Sequence, residues 1–126
     1  MPDKRYVADM QLNDLTIVAL RLELMHSALR AKIEKREPDD MVDVADMLIN
    51  DAILNFTLDK HIPPLLPQTT TYPVCVSETA ALALDFMVET GIAGDVTRDM
   101  IVNAAIMHWI LGLATTRQQE SNSNAS

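Results

Sequence analysis

The stretch Asp99–Leu111 repeats an earlier one, Asp46–Leu58, and this pair constrains the fold more than any other feature of the chain. Asp, Met, Asn, Ala, Ile and Leu recur at six matched positions (46/99, 47/100, 50/103, 52/105, 53/106 and 58/111). Four further positions match in size and polarity: Leu48/Ile101, Ile49/Val102, Leu54/Met107 and Phe56/Trp109. Average composition would give about one identity in such a window. Both copies read as buried helices, and both follow a strand-then-helix signal. The chain therefore reads as two related units. In 126 residues, two units of this size are each too small for a core of their own, so they are expected to share one.

Met1–Arg5 is a short polar lead. Tyr6–Leu12 alternates, with Tyr6, Ala8, Met10 and Leu12 on one face, as a strand would. Asn13 and Asp14 can cap the helix that follows. Leu15, Val18, Leu22, Met25, Leu29 and Ile33 recur at three- and four-residue steps and form the apolar stripe of that helix. Pro38 enforces a break. Asp39 and Asp40 suit the positive end of a second helix, which runs through the first repeat copy to about Phe56 or Leu58. Residues 59–68 carry three prolines in five positions and read as a linker.

Thr69–Val76 is rich in β-branched residues and reads as a second strand, with Tyr72, Val74 and Val76 on one face. Pro73 confines it to an edge or a two-stranded ribbon. Ser77 caps a helix running to about Thr90, and Gly91 follows as its C′ residue. Thr97 or Asp95 caps the last helix. Met100–Leu113 is very apolar but holds Asn103 and His108 and is too short to span a bilayer, so burial on most sides is expected. Residues 115–126 read as a disordered tail.

The second half, Tyr72–Leu111, resembles a ribbon-helix-helix unit. Tyr72–Val76 matches the ribbon strand, and Ser77–Glu78 the opening of its first helix. Ala81, Leu82 and Phe86 match that helix's core, Glu89–Gly91 its end, and Thr97–Asp99 the opening of the second helix. The first half aligns through Met10–Asp14 on Val74–Glu78, which makes its first helix 11 residues longer. A gapless alternative, with a constant offset of 53 residues, places the first strand at Thr16–Leu22 instead. The resemblance implies a mainly α protein with a short two-stranded antiparallel β-ribbon, made of two strand-helix-helix units around one core. The units would be residues 1–58 and 69–114.

In that family the ribbon enters the DNA major groove, and backbone amides opening the second helix hold phosphates. The resemblance thus implies double-stranded DNA as partner, and a regulator or accessory protein in transcription or in plasmid or phage maintenance. Outward ribbon residues would be Val7, Asp9 and Gln11 in one strand and Thr71, Pro73 and Cys75 in the other. Gln11 and Thr71 are the base-reading candidates among them. Lys4 and Arg5 would flank the ribbon on the DNA backbone, and Thr97 and Arg98 would form a phosphate site. Against this stands a formal charge of −8, with 18 acidic and 10 basic residues, which disfavours non-specific nucleic-acid binding by the whole surface.

Two other readings follow from the residues. An acidic helical face at Asp39, Asp43, Asp46 and Asn50 suits a relative that binds another protein, such as an antirepressor or DNA mimic. The apolar last helix suits an α-helical oligomeric scaffold, with a homo-oligomer as its product. Asp39-Asp40-Met41-Val42-Asp43 matches a metal-binding acidic pattern, but acids at a helix start are common and stabilising on their own. His26, His61 and His108 are scattered, and Cys75 has no base nearby in sequence. The pattern implies no metal, no cofactor and no enzyme. One cysteine and no signal-like segment place the chain in a reducing, cytoplasmic setting with no membrane partner.

Overall fold

The computed structural model describes residues 5–56, 62–91 and 94–125. The element order is β1 (Arg5–Asn13), α1 (Asp14–Ile33), α2 (Met41–Asn55), β2 (Thr69–Ser77), α3 (Glu78–Glu89) and α4 (Arg98–Ala125). The molecule is mainly helical, with one two-stranded antiparallel sheet. The first strand occupies the region read from alternation, and Thr16–Leu22, the alternative, lies inside α1.

β1 and β2 pair along their whole length, with Val7 opposite Cys75, Asp9 opposite Pro73 and Gln11 opposite Thr71. Alternation puts Met10, Leu12, Val74 and Val76 into the core and leaves Val7, Asp9, Thr71 and Pro73 exposed. A two-stranded ribbon tolerates Pro73 because only one strand neighbours it. Buried side chains from both strands and all four helices form one cluster, centred on Leu12, Leu20, Ile49, Ile53, Val74, Leu84, Ile101 and Ile106.

Helix ends follow local chemistry. The Asp40 carboxylate caps α2, accepting from the N–H groups of Val42 (2.8 Å) and Asp43 (3.3 Å). The Ser77 hydroxyl caps α3, accepting from Ala80 N–H at 3.2 Å, as the sequence predicts. Asn13 departs from expectation. Its side chain makes no cap bond and instead accepts from Leu66 N–H at 2.9 Å, fastening the proline-rich connection to the end of β1. α1 stops at Ile33, well before Pro38. Lys35 takes a left-handed φ of 57°, Arg36 N–H donates to Ala31 O and Lys35 N–H to Lys32 O. These are the paired closing bonds of a Schellman motif.

Three further expectations change. The stripe Leu15, Val18, Leu22, Met25, Leu29 and Ile33 does not enter the core; all six residues are exposed, and α1 packs through Thr16, Ile17, Leu20 and Ala31. Likewise Leu82 and Phe86, matched to the core of α3, are exposed and Ala81 is half-buried, because α3 turns Ala80, Leu84 and Met87 inward. The segment 115–126 is not a disordered tail, because α4 continues through Ala125. Its continuation is anchored where Arg117 donates twice to Glu23 of α1 (3.0 and 2.5 Å). Third, α4 is buried on all sides only from Ile101 to Ile106, and beyond that it emerges, with His108 and Leu111 exposed. The span Arg98–Glu120 is long and apolar enough to cross a membrane, yet a third of its most apolar window lies in this core. Leu58, residues 59–61 of the expected linker and His61 lie outside the described residues; 62–68 are irregular.

Candidate nucleic-acid interface

Two asparagines hold the ribbon from beneath, and they occupy the same place in the two repeat copies. Asn50 of α2 donates through Nδ2 to the Cys75 carbonyl at 2.9 Å and accepts at Oδ1 from Ser77 N–H at 2.8 Å. Asn103 of α4 donates to the Gln11 carbonyl at 3.0 Å and accepts from Asn13 N–H at 2.8 Å. Each also bonds the carbonyl four residues earlier in its own helix, Asp46 or Asp99. A carboxamide serves because it offers a donor and an acceptor together, matching one strand's alternating C=O and N–H. Both side chains are buried, so every one of these bonds guards against an unsatisfied polar group. The sequence marked these asparagines as repeat identities and assigned Asn50 to the acidic surface. That assignment is corrected: Asn50 faces the ribbon.

With the inner face held by helices, the outer face stands uncovered. Val7 is 74% exposed, and Asp9, Thr71 and Pro73 are also exposed. Gln11 and Thr71 meet across the strands: Gln11 Nε2 donates to Thr71 Oγ1 at 2.6 Å, and Thr69 Oγ1 donates to Gln11 Oε1 at 3.2 Å. The pair is therefore oriented but partly satisfied within the ribbon. Arg5 opens β1 opposite Ser77. Lys4 lies outside the described residues.

The two candidate phosphate sites differ. At the start of α4, Thr97 Oγ1 accepts from Met100 N–H at 3.3 Å, and Arg98 forms an ion pair with Asp85 of α3. Arg98 is thus drawn towards α3 while its side chain remains more than half exposed. At the start of α2, the Asp40 carboxylate already occupies the amides, in the place an anion would take. Asp39 lies 3.8 Å from Arg36, Asp43 is exposed and Asp46 half-buried. The acidic run is therefore a capped helix start with an acidic outer edge. Among the described residues, no group of three or more His, Cys, Asp or Glu is placed to hold a metal ion.

An open cleft beside the ribbon's end is lined by Asn13, Phe56, Pro63, Asn103, Met107 and His108. His108 is exposed, not in the core, with its ring edge-on to Phe56 at 6.5 Å. Phe56 is buried and Trp109 packs at the core's edge. Cys75 is half-buried on the ribbon's outer side.

Comparison with protein-family models, with curated proteins and with solved structures finds no match to this chain.

Proposed function

We propose that the chain is a single-chain counterpart of a ribbon-helix-helix dimer, and that it acts as a DNA-binding regulator or accessory protein with its ribbon in the major groove. The observation that carries the reading is the symmetry of the ribbon and its clamps. A shift of 64 residues takes Gln11 onto Cys75 and Asn13 onto Ser77. Under that shift, the strand atoms held by Asn103 become those held by Asn50. The strand register obeys the same relation, with Asp9 opposite its own counterpart Pro73. On this reading each unit's second helix holds the other unit's strand, around the single cluster of buried side chains. An uncovered antiparallel ribbon of two strands has the width to enter a major groove.

The contact is expected to be lopsided. Gln11 and Thr71 read bases towards one end of the ribbon, while Pro73 at its middle and Val7 and Cys75 towards the other end offer little to a base edge. Thr97 and Arg98 supply a phosphate anchor at α4, with Lys4 and Arg5 flanking the strand. The equivalent anchor at α2 is closed by Asp40. That closure favours a second reading, in which the acidic edge Asp39, Asp43 and Asp46 binds a basic protein surface instead of DNA.

Selection of random duplex DNA against the purified protein at near-physiological salt separates the two. An enriched site whose affinity falls steeply with salt supports the ribbon reading. No enrichment, and no binding at low salt, overturns it in favour of the acidic protein-binding surface.

A further inference from the structure

α1 has two apolar faces on opposite sides. One, through Thr16, Ile17, Leu20 and Ala31, is buried in the core. The other, Leu15, Val18, Leu22, Met25, Leu29 and Ile33, is between 50 and 71% exposed at every position. Its first five residues advance by three, four, three and four, the a/d spacing of a coiled-coil seam. Scattered exposed apolar residues are ordinary, but a continuous stripe along 20 residues of helix marks an interaction surface.

The stripe lies where the two halves of the molecule differ. In α3 the related face holds Leu82 and Phe86, both exposed, and then Glu89 stands where α1 has Met25 under the 64-residue shift. α3 ends there after 12 residues, whereas α1 continues and adds Leu29 and Ile33. The Glu23–Arg117 pair ties α1 to the long end of α4 just before this continuation begins. The extra length of helix turns Leu29 and Ile33 outward, in line with the rest of the stripe.

We propose that this stripe pairs with the same stripe of a second copy, as an antiparallel helix pair crossing near Leu22 and Met25. Three observations select a second copy as the occupant. A 3-4-3-4 seam is complementary to itself, since Val18 meets Leu29 and Leu22 meets Met25 when the copies run in opposite directions. The six residues offer about 600 Å² of apolar surface per copy, or about 1,200 Å² for the pair, at the lower bound of specific interfaces. Charge sets the direction: Arg30 and Arg36 are offset by Glu34 and Asp39, but a parallel pair would still stack Lys32 and Lys35 against their own copies, whereas an antiparallel pair brings them towards Asp14 and opposes the helix dipoles. The contact is isologous, so it closes at a dimer.

Sedimentation equilibrium of the full chain tests this directly. The expected species has twice the 14.0 kDa chain mass. Leu22→Glu combined with Met25→Glu should return it to a monomer with unchanged far-ultraviolet dichroism, because both positions are exposed. Leu82→Glu combined with Phe86→Glu should leave the dimer intact. In a Cys75→Ser background, Val18→Cys with Leu29→Cys should cross-link into covalent dimers, while Leu15→Cys alone should not. A wild-type monomer at about 100 µM, far above the micromolar dissociation constant of even a weak specific pair, overturns the proposal, even if the stripe captures some other helix. So does a dimer that survives the α1 substitutions, and efficient cross-linking of Leu15→Cys overturns the antiparallel arrangement.

Discussion

Asn50 and Asn103 each make three hydrogen bonds, two of them to a strand that is distant in sequence. Replacing either by alanine leaves a buried strand N–H and C=O without their partners, which costs about 2–3 kcal/mol. Urea unfolding of Asn50→Ala and Asn103→Ala should show losses of that size, and of similar size to each other, since the two environments match. Gln11 and Thr71 are different: they lie on the outer surface and bond each other. Gln11→Ala and Thr71→Ala should leave stability nearly unchanged. If the ribbon reads DNA, each should relax sequence preference by about 1–3 kcal/mol at one base pair, measured on the selected site and its point variants. Recurrence made the asparagines visible in the sequence, but not what they bond, because their partners lie 25 to 92 residues away.

At the scale of the element, helix ends carry most of what is testable. Lys35 closes α1 in a left-handed conformation that costs a side-chain-bearing residue about 1 kcal/mol relative to glycine. Gly91 takes the same conformation (φ 62°) after α3. Lys35→Gly should therefore stabilise the protein by about 0.5–1 kcal/mol in denaturant unfolding. Beside it, the hydrogen bond from Arg36, opposed by desolvation and supported by the hydrogen bond from Arg30, holds the Glu34 carboxyl below its usual range. A depressed carboxyl contributes stability above its unfolded pKa and loses it as pH falls through the folded one. The contribution is small at this solvent-exposed site, and Glu34→Gln should remove that acid-side dependence. Asp40 tests both functional readings. Asp40→Ser keeps a capping oxygen and opens the α2 amides to an anion, so DNA affinity should rise several-fold if the ribbon reading holds, with stability changed by less than about 1 kcal/mol. The caps Asp40 and Ser77 were readable from sequence because their chemistry is local, whereas Asn13 was drawn away by the distant Leu66. The end of α1 was not, because Lys35 carries no composition signal for a left-handed turn.

For the whole molecule, ribbon and α1 stripe make separate claims that meet in one arrangement. If both proposals hold, a dimer joined through α1 carries two ribbons, and a DNA site selected by the wild-type chain should contain two copies of one element. The monomeric Leu22→Glu/Met25→Glu variant should select a single copy, with affinity reduced to that of one ribbon. If the ribbon binds DNA, Arg98→Ala should weaken binding to all sequences alike and flatten the salt dependence by about one unit of slope, read from titrations at several salt concentrations.

Alternation, helical periodicity, capping residues and the internal repeat were determined by the sequence alone. Each depends on neighbours within a few residues, or on comparison of one segment with another. From these came both strands, the positions of the four helices and most of the outward and inward ribbon residues. Tertiary structure decided the rest. Periodicity says that a helix has an apolar stripe, not which body covers it, and α1 has apolar residues on two faces of which the core took only one. Polar composition pointed to a disordered end, but packing against α1 through Glu23 and Arg117 accompanies a helix that runs on to Ala125. The pattern of charge in sequence likewise could not reveal that Asp40 would close one anion site while Arg98 turned to Asp85 at the other. Those outcomes depend on which groups the fold brings within hydrogen-bond reach.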